Sequence, residues 1–193
     1  MADTIDLGPA AQAMTELLSG VRDDQLAQPT PCAEYTLGDL IDHVSGLSAG
    51  FALAAAKDPA VSEGGGSGDA SRLGADWRPR IAGELDRLVQ AWRDPEAWTG
   101  MTRIAGLDLP GEVAGRIALN ELVVHGWDVA MASGQPFTAD PAQLEPCLQF
   151  LEASAAQNDG NGPFGRPVPV PEDAPQIDRL IGLSGRNPAW PGA

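Results

Sequence analysis

The stretch from Pro110 to Gly134 constrains this chain more than any other part of it. Val113, Ile117, Leu119, Leu122, Val123, Val124, Trp127, Val129 and Met131 place apolar side chains on nearly every side of a helix. A helix that is apolar all round is a buried helix, so the fold must wrap other elements about it. Pro110 suits the first helical turn, and Gly134 stands where such a helix stops. Glu121, His125 and Asp128 are ionisable residues set among these apolar ones. At about 100° per residue, Glu121 and His125 lie ~40° apart, one turn above the other, and Asp128 falls ~60° from His125. Charged groups along one line of a buried helix are costly unless they are paired or bound to an ion.

The other segments supply the wrapping. Residues 9–20 carry Ala10, Ala13, Met14, Leu17 and Leu18 on one face. A second helix opens at Thr36, an N-cap with Asp39 three residues on, and its stripe is Leu37, Leu40, Ile41, Val44, Leu47 and Phe51. Residues 75–93 repeat the pattern through Trp77, Ile81, Leu85, Leu88, Val89 and Trp92. Further helical segments cover about 141–157 and, more briefly, 175–183. Sustained period-two alternation is missing, and only Trp98–Leu109 leaves room for a short extended excursion. Four or five helices of roughly 12–22 residues suggest a bundle. A 20-residue helix is ~30 Å long, and the connector 58–70 could span that at ~3.3 Å per residue. The second and third helices could therefore run parallel, joined by an overhand crossover.

Gly and Pro cluster at 58–70, around 94–111 and across 159–175. The glycine-rich run 64–68 has the composition of a flexible loop and lacks the Lys and Ser/Thr of a phosphate-binding loop. The whole chain, 1–193, reads as a single domain whose end, 158–193, is mostly an irregular tail. Twelve basic against 27 acidic residues leave a formal charge of -15. Such a surface repels phosphate backbones and anionic lipid, which argues against nucleic-acid and membrane partners. Asp3 and Asp6 stand where a secretion signal would carry basic residues, so a cytoplasmic location is expected. Cys32 and Cys147 are too few for a disulfide framework and are expected reduced.

The chain has only two histidines. His43 lies at the edge of the second helix's apolar stripe, one turn from Leu40 and Leu47. If that helix packs against 110–134, His43, Glu121 and His125 can converge on one ion. Two imidazoles and a carboxylate suit Zn²⁺ first, with Ni²⁺, Fe²⁺ or Mn²⁺ as alternatives, and leave coordination positions open for water or a ligand. The i, i+4 Glu–His spacing alone is equally that of a helix-stabilising contact, so spacing leaves both readings standing. Asp128 is either an acceptor that orients a ligating imidazole or a helix-surface residue pairing with an arginine. Cys32 is a soft auxiliary ligand, a reactive thiol activated by a helix N-terminus, or a small residue packed under its loop. Cys147, Trp77, Trp92 and Trp127 read as core, whereas Trp98 and Trp190, near loops, have room to line a pocket.

Three motifs carry a resemblance. Pro29-Thr30-Pro31-Cys32 followed by Tyr35-Thr36-Leu37-Gly38-Asp39-Leu40-Ile41-Asp42-His43-Val44 is the first. Glu121 through Asp128 is the second, and the tail Phe164–Pro171 with Asp178-Arg179-Leu180 is the third. Together they resemble the mycothiol-dependent maleylpyruvate isomerase N-terminal family, within the DinB-like metal-binding bundles, in its single-domain subgroup. Tyr35 stands where the family usually has Trp, a packing change. The resemblance implies an all-α, DinB-like four-helix bundle running up-down-down-up, with an added C-terminal helix and long loops. It also implies that His43, Glu121 and His125 ligate one divalent metal ion.

The isomerase proper carries a second, C-terminal domain for which this chain is too short. The expectation therefore extends to the metal site and stops short of the isomerase activity. By analogy, the function is that of a metal-binding protein that uses mycothiol or another low-molecular-weight thiol as isomerase or S-transferase on small electrophiles. The competing reading is a non-catalytic metal-containing sensor or binding module, pairing with a second copy as a homodimer.

Overall fold

The computed structural model describes residues 4–58, 67–157 and 165–190. Its helices are α1 (Gly8–Gly20), α2 (Leu37–Ala55), α3 (Trp77–Trp92), α4 (Gly111–Ser133), α5 (Pro141–Gln157) and α6 (Gln176–Leu183). A two-stranded antiparallel hairpin, β1 (Met101–Ile104) and β2 (Leu107–Pro110), precedes α4. It occupies the stretch that sequence left open for an extended excursion. Pro110 therefore closes β2 and precedes α4, instead of lying in its first turn. The glycine-rich run at 64–68 falls largely outside the described residues.

Local chemistry accounts for the helix limits. At the start of α2, Thr36 Oγ1 accepts from the Asp39 N–H and Asp39 Oδ2 accepts from the Thr36 N–H, a reciprocal capping box. At the end of α4, Gly134 takes φ 71°, a left-handed conformation that glycine adopts without strain. α4 is buried along most of its length, from Ala114 to Ala132, as an element apolar on all sides requires.

Helices α1, α3, α2 and α4 pack in that order around a square. Ser45 lies against Glu84, and the Phe51 carbonyl accepts from Trp92 Nε1 at 3.1 Å, so α2 and α3 run parallel. Arg78 donates to the Val21 carbonyl while Met14 and Leu88 wall a common small void, which makes α1 and α3 antiparallel. His43 faces His125, and Phe51 lies beside Ala118 further along, so α2 opposes α4. Met14 and Ala118 wall a common void, while further along the Leu17 carbonyl accepts from Gln135, just past the end of α4, so α1 and α4 are parallel. The order is up-down-down-up.

A parallel α2–α3 pair forces the chain to return along the whole bundle. The far end of that return is tied to the first turns of α2. Asp42 accepts from Arg72 at 2.6 Å and from the Asp69 N–H, and Asp39 accepts from the Ala70 N–H. The core is continuous across the bundle, and Trp77, Trp92 and Trp127 belong to it. Trp98 belongs there too: it is 2% exposed, donates to the Trp92 carbonyl and meets the Trp92 ring edge-on. It is a core residue. Trp190, half-buried, packs onto the core from outside.

Gly115 marks where α4 comes closest to this tryptophan pair. A Cβ there would stand 2.6 Å from Trp98 Cζ3 and 2.8 Å from Trp92 Cζ3. Gly115→Ala is therefore expected to destabilise the fold by about 1–3 kcal/mol through overpacking, despite alanine's better helix propensity. Urea unfolding with an unchanged or higher midpoint would contradict this.

Candidate metal centre

His43 projects from the second turn of α2 and Glu121 and His125 from the middle of α4, where the two antiparallel helices face each other. Donor atoms of His43, Glu121 and His125 all lie within 4.8 Å of one another. The two imidazole rings stand nearly perpendicular, with centroids 5.3 Å apart. Tyr35 packs against the other side of His43 at 5.0 Å between centroids. The conditional of the sequence reading, that α2 packs on α4 at His43, is met.

His125 is held at both ends. Its Nε2 lies 2.9 Å from Glu121 Oε2 and its Nδ1 lies 2.9 Å from Asp128 Oδ2. Burial alone would push the imidazole pKa down, but hydrogen bonds to Asp128 and Glu121 outweigh it and raise it to about 9. Burial pushes Glu121 up, yet its bond to His125 and the positive charge of His125, His43 and Arg186 leave it below the ordinary carboxylate value. Asp128 is fully buried and not on the helix surface, and it contacts both an imidazole and an arginine. Its Oδ2 meets His125 Nδ1, and the same oxygen accepts from Arg186 Nη2 at 3.1 Å.

His43, Glu121 and His125 floor a cavity of about 380 Å³, walled by Pro31, Cys32, Tyr35, Asn120, Val124 and, from the tail, Gly165 and Arg186. Cys32 forms a second trio with His125 and Asp128, with donor atoms again within 4.8 Å of one another. Burial pushes its thiol pKa up, Asp128 and Glu121 push the same way, and Arg186 offsets this only in part. The shift is thus opposite to the activation expected from a helix N-terminus. Cys147 is buried in the core, and burial raises its thiol pKa to about 12.

Two residues of the site carry no legible sequence signal. Asn120, 1% exposed, has Oδ1 without a hydrogen-bond partner among the described residues. Arg186 follows a glycine at φ 82° in a tail with no helical period, and only the reading of Asp128 as an arginine's partner pointed toward such a residue.

Fold and site together define a DinB-like four-helix bundle with a cluster of metal-ligand residue types beneath an open cavity. The chain belongs to the mycothiol maleylpyruvate isomerase N-terminal domain family, whose model matches residues 7–130. Two uncharacterised proteins of Mycobacterium tuberculosis, one from each of two strains, are 33% identical to it over 189 residues, covering 92% of this chain and 94% of theirs. Among solved structures, a crystal structure of a mutant mycothiol-dependent maleylpyruvate isomerase is similar with a TM-score of 0.59. At 18% identity, covering 79% of this chain and 69% of that one, this likeness is one of fold. No helix among the described residues is long and apolar enough to cross a membrane.

Proposed function

We propose that the chain holds one divalent metal ion through His43, Glu121 and His125, Zn²⁺ before Ni²⁺, Fe²⁺ or Mn²⁺, and presents it to a low-molecular-weight thiol, mycothiol in the first instance. The observation that carries the reading is the convergence of these three donors, within 4.8 Å of one another, on the floor of the 380 Å³ cavity. Tetrahedral ligands ~2.1 Å from a shared ion stand about 3.4 Å apart, a spacing that side-chain adjustment alone brings within reach of these donors. Asp128 supports the fit: it accepts from Nδ1 and leaves Nε2, the nitrogen nearest Glu121, as the ligand atom.

When bound, a divalent ion stabilises a coordinated thiol as its nucleophilic thiolate. The protein's own residues do the rest. Tyr35 braces His43, Pro31 and Val124 provide apolar wall, and Arg186 places positive charge at the cavity. The reaction class we favour is thiol-dependent isomerisation of, or transfer to, a small electrophile. The open cavity favours this over a non-catalytic module, whose ion would be closed off.

The test is titration of cobalt-substituted protein with mycothiol. A sulfur-to-cobalt charge-transfer absorption that saturates at one equivalent is expected, and it should be absent in H43A. No thiol-dependent absorption, together with no turnover of electrophiles, would remove the proposal.

A further inference from the structure

The geometry points to Arg186 as a positioning residue of the metal centre: the C-terminal tail clamps Asp128 with a guanidinium, and Asp128 in turn fixes the His125 ring with Nε2 toward Glu121 and His43. Arg186 lies far outside residues 7–130, the part of the chain that the family match covers. Its side chain is nevertheless only 13% exposed, and it meets the fully buried Asp128 through Nη2 to Oδ2 at 3.1 Å and Nε to Oδ1 at 3.4 Å. A paired arrangement of this kind fixes the plane of a carboxylate in a way that a single donor does not. Oδ2 is also the oxygen that lies 2.9 Å from His125 Nδ1, so whatever holds Asp128 holds the imidazole.

The tail is built to deliver this side chain. Gly185, at φ 82°, turns the chain just after α6, and a Cβ there would stand 2.8 Å from Gly165 Cα, so two tail segments meet without side chains between them. Arg186 Nη1 donates to the Ser184 carbonyl at 2.9 Å, and the Arg186 N–H donates to the Ile181 carbonyl, fixing the base of the guanidinium on the end of α6. α6 packs on α5, and α5 on α4, so the tail closes back on the helix that carries the site.

The inference rests on the metal reading for one readout and is independent of it for another. The first is Zn²⁺ affinity by chelator competition in a double-mutant cycle. R186Q and D128N are each expected to weaken binding about 10–100-fold. The double variant is expected to fall within about twofold of D128N alone, because Arg186 acts through Asp128. R186K keeps the charge but not the paired donors and should lie between wild type and R186Q. S184A, which perturbs the tail but keeps the guanidinium, should stay within about twofold of wild type. Wild-type affinity in R186Q, additive losses in the double variant, or an S184A loss as large as that of R186Q would each overturn the assignment.

The second readout is the His125 Nδ1–H resonance of chelator-treated protein, a proton shielded between two buried side chains. Exchange broadening in R186Q, with helical circular dichroism unchanged, is expected, and an unaltered signal would count against the clamp. Failure of wild type to bind Zn²⁺ would sink the metal proposal, and the resonance would still decide this one.

Discussion

Replacing His125 by alanine is expected to abolish stoichiometric binding of a divalent ion, weakening it on the order of 10³-fold. His125 is shared by both donor trios, so no alternative set among the described residues replaces it. The substitution also removes the group that lies between Glu121 and Asp128, each 2.9 Å from one of its nitrogens. Those carboxylates then lose the imidazolium between them, with Arg186 as the main remaining compensation, and a cost of about 3 kcal/mol to the metal-free fold follows. Metal analysis of untagged protein, with unfolding in the presence of chelator, checks both parts. H125Q, which fills the volume, guards against an alanine variant too unstable to purify. Retention of one full equivalent of metal by either variant would refute the ligand role.

The second large effect is of pH, and its sign differs between the stability of the metal-free protein and its affinity for metal. With no ion bound, the folded-state pKa of His125 is raised from 6.5 to about 9. The protonated imidazole therefore contributes stability that is fully present below the unfolded-state value of 6.5 and is lost as pH rises through about 9. Chelator-treated protein is expected to melt at a lower temperature at pH 9.5 than at pH 6.5. Metal binding requires the neutral ring, so an ion displaces that proton. Zn²⁺ affinity should rise with pH by about tenfold per unit across the range below 9. The gap in melting temperature between loaded and metal-free protein should widen in step. Chelator competition at several pH values, showing affinity flat between about pH 6 and 8, would contradict a site built on His125.

Much of the bundle was legible because helices announce themselves locally. The Thr36–Asp39 capping box, the stripes of α2 and α3, the all-round apolar character of α4 and its stop at Gly134 need no knowledge of distant residues. The crossover was legible as chain length set against helix length, and the parallel α2–α3 packing is its consequence. Trp98 was misplaced because a tryptophan beside turns looks peripheral in sequence, whereas here it packs on Trp92 and Gly115.

For the site, the helical repeat alone stacked Glu121, His125 and Asp128 on one line of α4, since side chains three and four residues apart share a face whatever surrounds them. Which of them would meet His43, and how Asp128 would divide itself, depended on contacts between residues tens of positions apart, and these leave no periodic trace in the chain. Arg186 is the clearest case: 58 residues separate it from Asp128, and only the packing of α6 on α5, with the glycine turn that follows it, brings the two together. The rise of the Cys32 thiol pKa belongs with it, because burial and the neighbouring charges, not position before a helix, set that value. Local order follows from rotation about single bonds and the nearest hydrogen bonds, whereas the electrostatic environment of a group is the sum over everything the folded chain brings near it.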